Sequence, residues 1–412
     1  MKNGYKKMRC GLLGEKLGHS FSPIIHAELC DYSYELIELA PNELEKFVRS
    51  DKLDAYNVTI PYKKDIIPFL DTISPEAMSI GAVNTVVKYN NKLCGYNTDY
   101  FGFCHILDKS GICVTDKKAL VLGTGGASAT VCAVLNDRKT REIVTVSIED
   151  NTPEFLKKHN DAQIIINATP VGMYPKNGYA PVSLSLFPKC EGVVDVVYNP
   201  SKTQLLLDAE SLNIPYINGL PMLVAQAAKA FEFFTGESTD DGECERITSI
   251  IENKTKNIIL IGMPGCGKTT VGKILSEKLG RPFYDADEIF AKTYEVSPAE
   301  VITNQGEPTF RDMEHKIINE LGKLSGGIIA CGGGVITREE NYNSLHQNGT
   351  IIFIERALEK LSTNNRPLSL AGPLEALYNS RINAYNRFAD IKVISTEVPQ
   401  NTAKLILKEL NI

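Results

Sequence analysis

Residues 257–271 read NIILIGMPGCGKTTV, and the second half of the chain takes its fold class from them. The run 258–261 is short, rich in β-branched residues and bounded by glycine, the pattern of a strand buried in a parallel sheet. Gly262, Gly267, Lys268 and Thr269 then satisfy G-x-x-x-x-G-K-[ST], a loop whose backbone N–H groups close around a phosphate, and Gly265 adds a further glycine to it. In such a loop the lysine reaches the β- and γ-phosphates, the threonine hydroxyl holds Mg²⁺, and the following helix aims its positive end at the nucleotide. The spacing predicts strand, turn and helix, with a nucleoside triphosphate bound where they meet.

Outward from this loop, composition sets the bounds. A chain of 412 residues suits two or three domains. Hydrophobic residues at 43% and charged residues at 23% are ordinary for globular enzymes, and no apolar run approaches the roughly 18 residues that a membrane helix needs. The first residues carry lysines with no apolar stretch after them, which reads as no secretory signal and a cytoplasmic protein. Ten cysteines without a C-x-x-C pair argue against a zinc site and for reduced thiols. A net charge of −6 and the lack of a basic stripe with interleaved aromatics disfavour nucleic acid, leaving small molecules as partners. The sequence does not speak to oligomeric state.

Residues 1–100 alternate short β-rich runs with helical ones, the pattern of an α/β layer domain. Residues 9–13 open as a strand, and Ser22-Pro23 reads as a helix start with Ser22 as either cap or ligand. The run AYNVTIPYK (55–63) reads as a strand stopped by Pro61, bringing Thr59, Lys63 and Lys64 to a carboxyl end, where α/β sheets bind ligands. A hairpin through Asn90-Asn91 is flanked by Asn84 and by Asn97-Thr98-Asp99, where Asp99 is either a helix cap or a site residue. The stretch KKALVLGTGGASATVCAVL (117–135) is a dinucleotide-binding fingerprint built on Gly123, Gly125 and Gly126, with Ser128 in place of the third glycine. The next strand ends at Glu149-Asp150, near where such a fold meets the ribose. Residues 219–236 read as one helix, and the polar, acidic segment 237–256 reads as a linker, with a helical turn at 247–253. Beyond the phosphate loop stand Asp285 and Asp287 two apart, GEPTFRDME around Arg311, the triplet Gly332–Gly334, NNRPL with Arg366, and a helix carrying Arg381.

With these residues in hand, 5–236 resembles a shikimate dehydrogenase through GHSFSPIIH, NVTIPYKK, GAVNTVV, GYNTDYFGF, GTGGAS, NATPVGM and GLPMLVAQA, in the family's order. Residues 257–412 resemble a shikimate kinase through GMPGCGKTT, the Asp285-Asp287 pair, FRD, GGG, RPL and the Arg381 helix. The resemblance implies an α/β substrate-binding domain (1–100, completed by the 219–236 helix), a Rossmann domain (101–236), a linker (237–256) and a P-loop kinase domain with a parallel sheet (257–412). It implies that Ser20, Ser22, Thr59, Lys63, Asn84, Asp99, Tyr198 and Gln226 hold shikimate, with Lys63 and Asp99 at the reacting oxygen. Gly123, Thr124, Gly125, Gly126, Ala127, Glu149, Val196 and Gly219 would hold the nicotinamide cofactor. On the kinase side it implies ATP on Gly265, Cys266, Gly267, Lys268, Thr269, Thr270 and the lid residue Arg366, and Mg²⁺ on Thr269 and Asp285. Shikimate would lie on Asp287, Arg311, Gly333 and Arg381, with Lys268 and Asp287 catalytic.

The two activities would be consecutive: one makes shikimate, the other phosphorylates it. NADP(H) is the cofactor by resemblance, whereas the acidic turn at Glu149-Asp150 has no arginine for a 2′-phosphate and suits NAD(H). The lid segment 364–372 is short for the family. A quinate/shikimate dehydrogenase in the first half, or a non-catalytic metabolite sensor on the same folds, are the alternative readings. The sensor would be expected to lose chemical residues first, and Lys63, Asp99, Lys268, Thr269, Asp285 and Arg311 are all present.

Overall fold

The computed structural model describes residues 5, 7–18, 20–239, 241–361 and 374–412. They form two compact units, one of residues 1–173, 179–198 and 208–251, the other of residues 174–178, 199–207 and 252–412.

The first unit carries two sheets. One contains β1 (Arg9–Gly14), β2 (Ser33–Glu38), β3 (Ala55–Val58), β4 (Thr72–Ile73), β5 (Thr85–Tyr89) and β6 (Lys92–Tyr96) in the order β2-β1-β3-β5-β6-β4. β5 and β6 pair antiparallel, and Asn90 and Asn91 turn between them with φ of 49° and 58°, the left-handed conformation a two-residue hairpin requires. The other sheet is wholly parallel: β7 (Lys118–Leu122), β8 (Glu142–Val146), β9 (Ile164–Asn167), β10 (Gly192–Asp195) and β11 (Tyr216–Ile217), ordered β11-β10-β9-β7-β8. Its central strands read ALVL and IIIN and are buried along their length, as strands covered on both faces should be.

The helix Leu220–Thr235 lays Leu220, Val224, Ala227, Ala228 and Phe231 into the core of the first sheet, beside Ile25, Leu29 and Ala55. It also crosses the helix Thr98–Ser110 closely. A Cβ on Gly102 would stand 2.7 Å from the Met222 carbonyl oxygen, so the glycine in GYNTDYFGF lets the two helices meet.

The second unit is built on one parallel sheet, β12 (Asn257–Ile261), β13 (Phe283–Asp285), β14 (Ile328–Ala330), β15 (Gly349–Glu355) and β16 (Ile391–Ile394), in the order β13-β14-β12-β15-β16. The phosphate-loop strand β12 lies at its centre and is buried throughout. The α/β class, the dehydrogenase-like Rossmann fold and the P-loop sheet expected from the sequence are all present.

Several local expectations need correction. Strand β3 ends at Val58, before the Pro61 that the sequence suggested as its stop. Ser22 does not cap its helix: it is the first helical residue of Ser22–Leu29, and its N–H donates to Ser20 Oγ at 3.2 Å. Asp99 is not a cap either, because Asn97 Oδ1 accepts the Tyr100 N–H and does that work. Most of the segment read as a linker is a helix, Asp241–Thr255, whose Cys244, Ile247 and Ile251 are buried in the core with Phe231 and Phe234. The lid, with Arg366, lies outside the described residues.

Candidate active sites

In the first unit a cavity of about 400 Å³ opens at the carboxyl ends of β1 and β3. All eight residues expected at the substrate, Ser20, Ser22, Thr59, Lys63, Asn84, Asp99, Tyr198 and Gln226, line it. Lys63 Nζ donates to Asp99 Oδ2 at 2.6 Å, with the lysine side chain 26% exposed and the aspartate 11%. Asn84 Oδ1 accepts the Thr98 N–H at 2.7 Å and the Thr85 hydroxyl at 3.1 Å. Its amide nitrogen is thereby turned toward Gln226, donating to Oε1 at 3.4 Å. Gln226 is left with its own amide N–H groups to offer a ligand.

Among the lining residues that the sequence reading did not single out are two polar ones, Asn57 and His26. Asn57 accepts from Tyr34 OH at 2.7 Å and donates to Thr85 Oγ1 at 3.0 Å, tying the strand ends beneath the pocket. His26 is wholly buried, stacks on Tyr34 at 3.9 Å and shares a hydrogen bond of 2.6 Å between Nδ1 and Tyr32 OH. Burial pushes its pKa down to about 3, against a smaller opposing hydrogen bond to Asn57. His26 falls inside the quoted GHSFSPIIH, but as one apolar-face residue of a helix it carries no signal of its own.

Over the parallel sheet of the same unit, Gly123 turns with φ of 107°, and a Cβ there would stand 2.9 Å from Thr169 Cγ2. Gly125 and Gly126, at the start of the helix Gly126–Asp137, face open space, which leaves their backbone approachable by a pyrophosphate. Thr124 belongs to the same turn, and Ala127 lies in the first turn of that helix. Gly219 abuts Val196, where a Cβ would fall 2.0 Å from the Val196 carbonyl oxygen. At the end of β8, Ser147 Oγ donates to Asp150 Oδ2 at 2.8 Å, while Ile148 is 92% exposed and Glu149 is exposed beside it.

The second unit holds a cavity of about 610 Å³ lined by Gly265, Gly267, Lys268, Thr269, Thr270, Asp285, Asp287, Arg311, Gly333 and Arg381. Cys266 is buried within the loop. Gly262, Gly265 and Gly267 have φ of 147°, 82° and 102°, so the loop's path requires glycine at each. Lys268 Nζ donates to the Gly262 and Met263 carbonyl oxygens at 2.9 and 3.1 Å. Thr269 Oγ1 donates to Asp285 Oδ2 at 2.8 Å. Two oxygen ligands beside a phosphate loop fit Mg²⁺, which keeps several waters and takes its remaining ligands from phosphates. No group of three His, Cys, Asp or Glu side chains able to hold a metal occurs among the described residues.

Arg311 Nη1 donates to Glu314 Oε2 at 2.6 Å and Nη2 to Glu307 Oε1 at 2.7 Å. Burial works to lower the Arg311 pKa, and the two carboxylates outweigh it and raise it. Glu314, buried at 4% exposure, is pushed up by desolvation against the pull of Arg311. Arg381 donates to the Gly333 carbonyl at 3.2 Å, and so does Tyr385 through its hydroxyl. The glycine triplet now has a physical reason. A Cβ on Gly334 would lie 2.0 Å from Arg311 Nη2, and one on Gly332 would lie 2.9 Å from Glu314 Oε1 and 3.0 Å from Asp287 Oδ1.

Comparison with known proteins agrees with this division. Residues 12–86 match the family model for the shikimate dehydrogenase substrate binding domain, and 264–411 match that for shikimate kinase. A shikimate dehydrogenase (NADP(+)) from Clostridium beijerinckii is 40% identical over 267 residues, covering 60% of this chain and 98% of the relative. The chain belongs to the shikimate dehydrogenase family. A chorismate mutase/shikimate 5-dehydrogenase fusion protein from Clostridium acetobutylicum is similar in structure, with a TM-score of 0.57 at 35% identity over 60% of this chain and 98% of that one. Shikimate 5-dehydrogenase from Listeria monocytogenes, solved with shikimate and NAD, gives 0.52 at 31% identity over 61% and 98%. The dehydrogenase relatives leave the C-terminal part uncovered, and there the kinase family model matches. The chain is thus a shikimate-pathway enzyme, an oxidoreductase joined to a kinase domain, whose families use NADP(H), ATP and Mg²⁺.

Proposed function

We propose that the first unit reduces 3-dehydroshikimate to shikimate with a reduced nicotinamide dinucleotide, and that the second phosphorylates shikimate with ATP to shikimate 3-phosphate. The observation that carries the reading is the convergence of eight polar and charged side chains on one cavity, with the Lys63–Asp99 pair 2.6 Å apart inside it. A bound nicotinamide would supply the hydride to the ketone carbon. Lys63 then gives its proton to the carbonyl oxygen as that oxygen takes up the electron pair, and its partial exposure lets it regain a proton from water. Asp99 holds the ammonium in place, while Asn84 and Gln226 orient the ring hydroxyls.

In the kinase unit the residues chiefly position and neutralise, which is what phosphoryl transfer needs. Lys268 faces the phosphates, Thr269 and Asp285 would hold Mg²⁺, and Asp287 orients the attacking hydroxyl. Arg311 and Arg381 suit the substrate carboxylate because a guanidinium can bind it bidentately. A non-catalytic sensor would have no use for the Lys63–Asp99 pair or the Thr269–Asp285 contact.

The test is reciprocal. Lys63→Met should lower the dehydrogenase kcat by roughly 10² or more and leave phosphorylation unchanged. Lys268→Ala and Asp285→Ala should abolish phosphorylation and leave hydride transfer unchanged. A variant that keeps wild-type rate in its own reaction removes that residue from its assigned role.

A further inference from the structure

Arg356 belongs to none of the motifs that marked the kinase half, yet it lines the same cavity as Gly265, Lys268 and Thr269. Its position follows from the sheet. β15 pairs with the phosphate-loop strand β12 so that Phe353 stands opposite Ile261, and the next step along brings Gly262 against the Ile354 carbonyl, 2.5 Å from where a Cβ would be. Arg356, two residues further, emerges level with the loop itself. Alternation along a strand sends successive side chains to opposite faces. Glu355 is engaged on one face by Tyr378 OH at 2.9 Å and Lys392 at 3.0 Å, and Arg356 takes the other, toward the cavity.

The other cations of the cavity are already committed. Arg311 is held by Glu307 and Glu314, Arg381 by the Gly333 carbonyl, and Lys268 by two loop carbonyls. Arg356 makes no hydrogen bond or ion pair among the described residues. The carboxylate that senses it, Glu397, is exposed and paired with Lys360 at 2.6 Å. A half-buried guanidinium with no hydrogen-bonded carboxylate among the described residues, beside a loop shaped for phosphate, fits the bidentate recognition of phosphate oxygens that guanidinium provides.

We propose that Arg356 is a further nucleotide-binding residue of the kinase site, contacting the phosphate chain of the bound nucleotide from just beyond the end of β15. This rests on the kinase reading above. The experiment measures ADP affinity directly, by displacement of a fluorescent ADP analogue from the full chain, alongside the KM values for ATP and shikimate, for the wild type, Arg356→Gln and Arg356→Lys. The proposal expects Arg356→Gln to weaken ADP binding and raise the ATP KM at least tenfold while the shikimate KM changes less than twofold, with Arg356→Lys in between. Dehydrogenase activity and far-UV circular dichroism of each variant monitor folding. Unchanged ADP affinity in Arg356→Gln overturns the proposal and leaves the kinase reading standing, as does a rise in the shikimate KM alone. A wild-type chain that neither binds the ADP analogue nor phosphorylates shikimate overturns both.

Discussion

At His26 the wall of the dehydrogenase pocket holds an imidazole that burial keeps neutral, with a pKa pushed down to about 3. In the unfolded chain the same group titrates near 6.5. The folded state therefore refuses a proton that the unfolded state accepts between these two values. The contribution of neutral His26 to stability is complete above about pH 6.5 and is lost as pH falls toward 3, with a limiting slope of about 1.4 kcal/mol per pH unit. Denaturant unfolding of the first unit, followed by loss of dehydrogenase activity, should become less steeply pH-dependent between pH 6.5 and 5 in His26→Gln than in the wild type. Parallel curves for the two proteins would show that His26 takes its proton in the folded state. Lys63 and Asp99 illustrate a different side of residue-scale reading. Either one alone is indistinguishable in sequence from a surface charge or a helix cap, and their meeting at 2.6 Å is a fact of tertiary structure.

At the scale of elements, the turn that follows β8 bears on cofactor choice. Ser147 to Asp150 emerge beside the glycine turn, since the Gly123 N–H donates to the Val146 carbonyl at 2.8 Å. Glu149 and Asp150 are both exposed, but Asp150 is engaged by Ser147, and Glu149 makes no hydrogen bond or ion pair among the described residues. A carboxylate there accepts hydrogen bonds from a ribose 2′-hydroxyl and repels a 2′-phosphate, and no lysine or arginine occurs in 123–127, 147–152 or 168–173. We expect weak discrimination for NADPH over NADH, or preference for NADH, and a shift toward NADPH in Glu149→Arg. Comparison of kcat/KM for the two reduced cofactors at moderate salt checks this. A wild-type preference for NADPH of about a hundredfold, equivalent to about 2.7 kcal/mol, would contradict it.

The elements that were legible in sequence are those whose signal is local. The phosphate loop needs glycine at its left-handed positions, the hairpin needs Asn90-Asn91, and the helix Leu220–Thr235 ends at Gly236 with φ of 77°. Of the helix Asp241–Thr255 only the turn at 247–253 was legible, because its sequence is polar and acidic apart from the few residues that reach the core. Glu314 was missed for a related reason. It gains meaning only when a helical turn sets it three residues from Arg311 and the glycine triplet packs against both.

At the scale of the molecule, two cavities stand in one chain, each within its own compact unit, and on the proposed reading both take the same cyclic acid, one as product and the other as substrate. No helix among the described residues is long and apolar enough to cross a membrane. The central claim is that the chain catalyses both consecutive steps, and one measurement tests it most directly. The purified full-length chain is given 3-dehydroshikimate, a reduced nicotinamide cofactor, ATP and Mg²⁺, and the products are followed by mass spectrometry. The account predicts shikimate 3-phosphate, with one cofactor oxidised and one ADP formed for each molecule made. Shikimate accumulating without ADP, or 3-dehydroshikimate left unreduced with either cofactor, would contradict it.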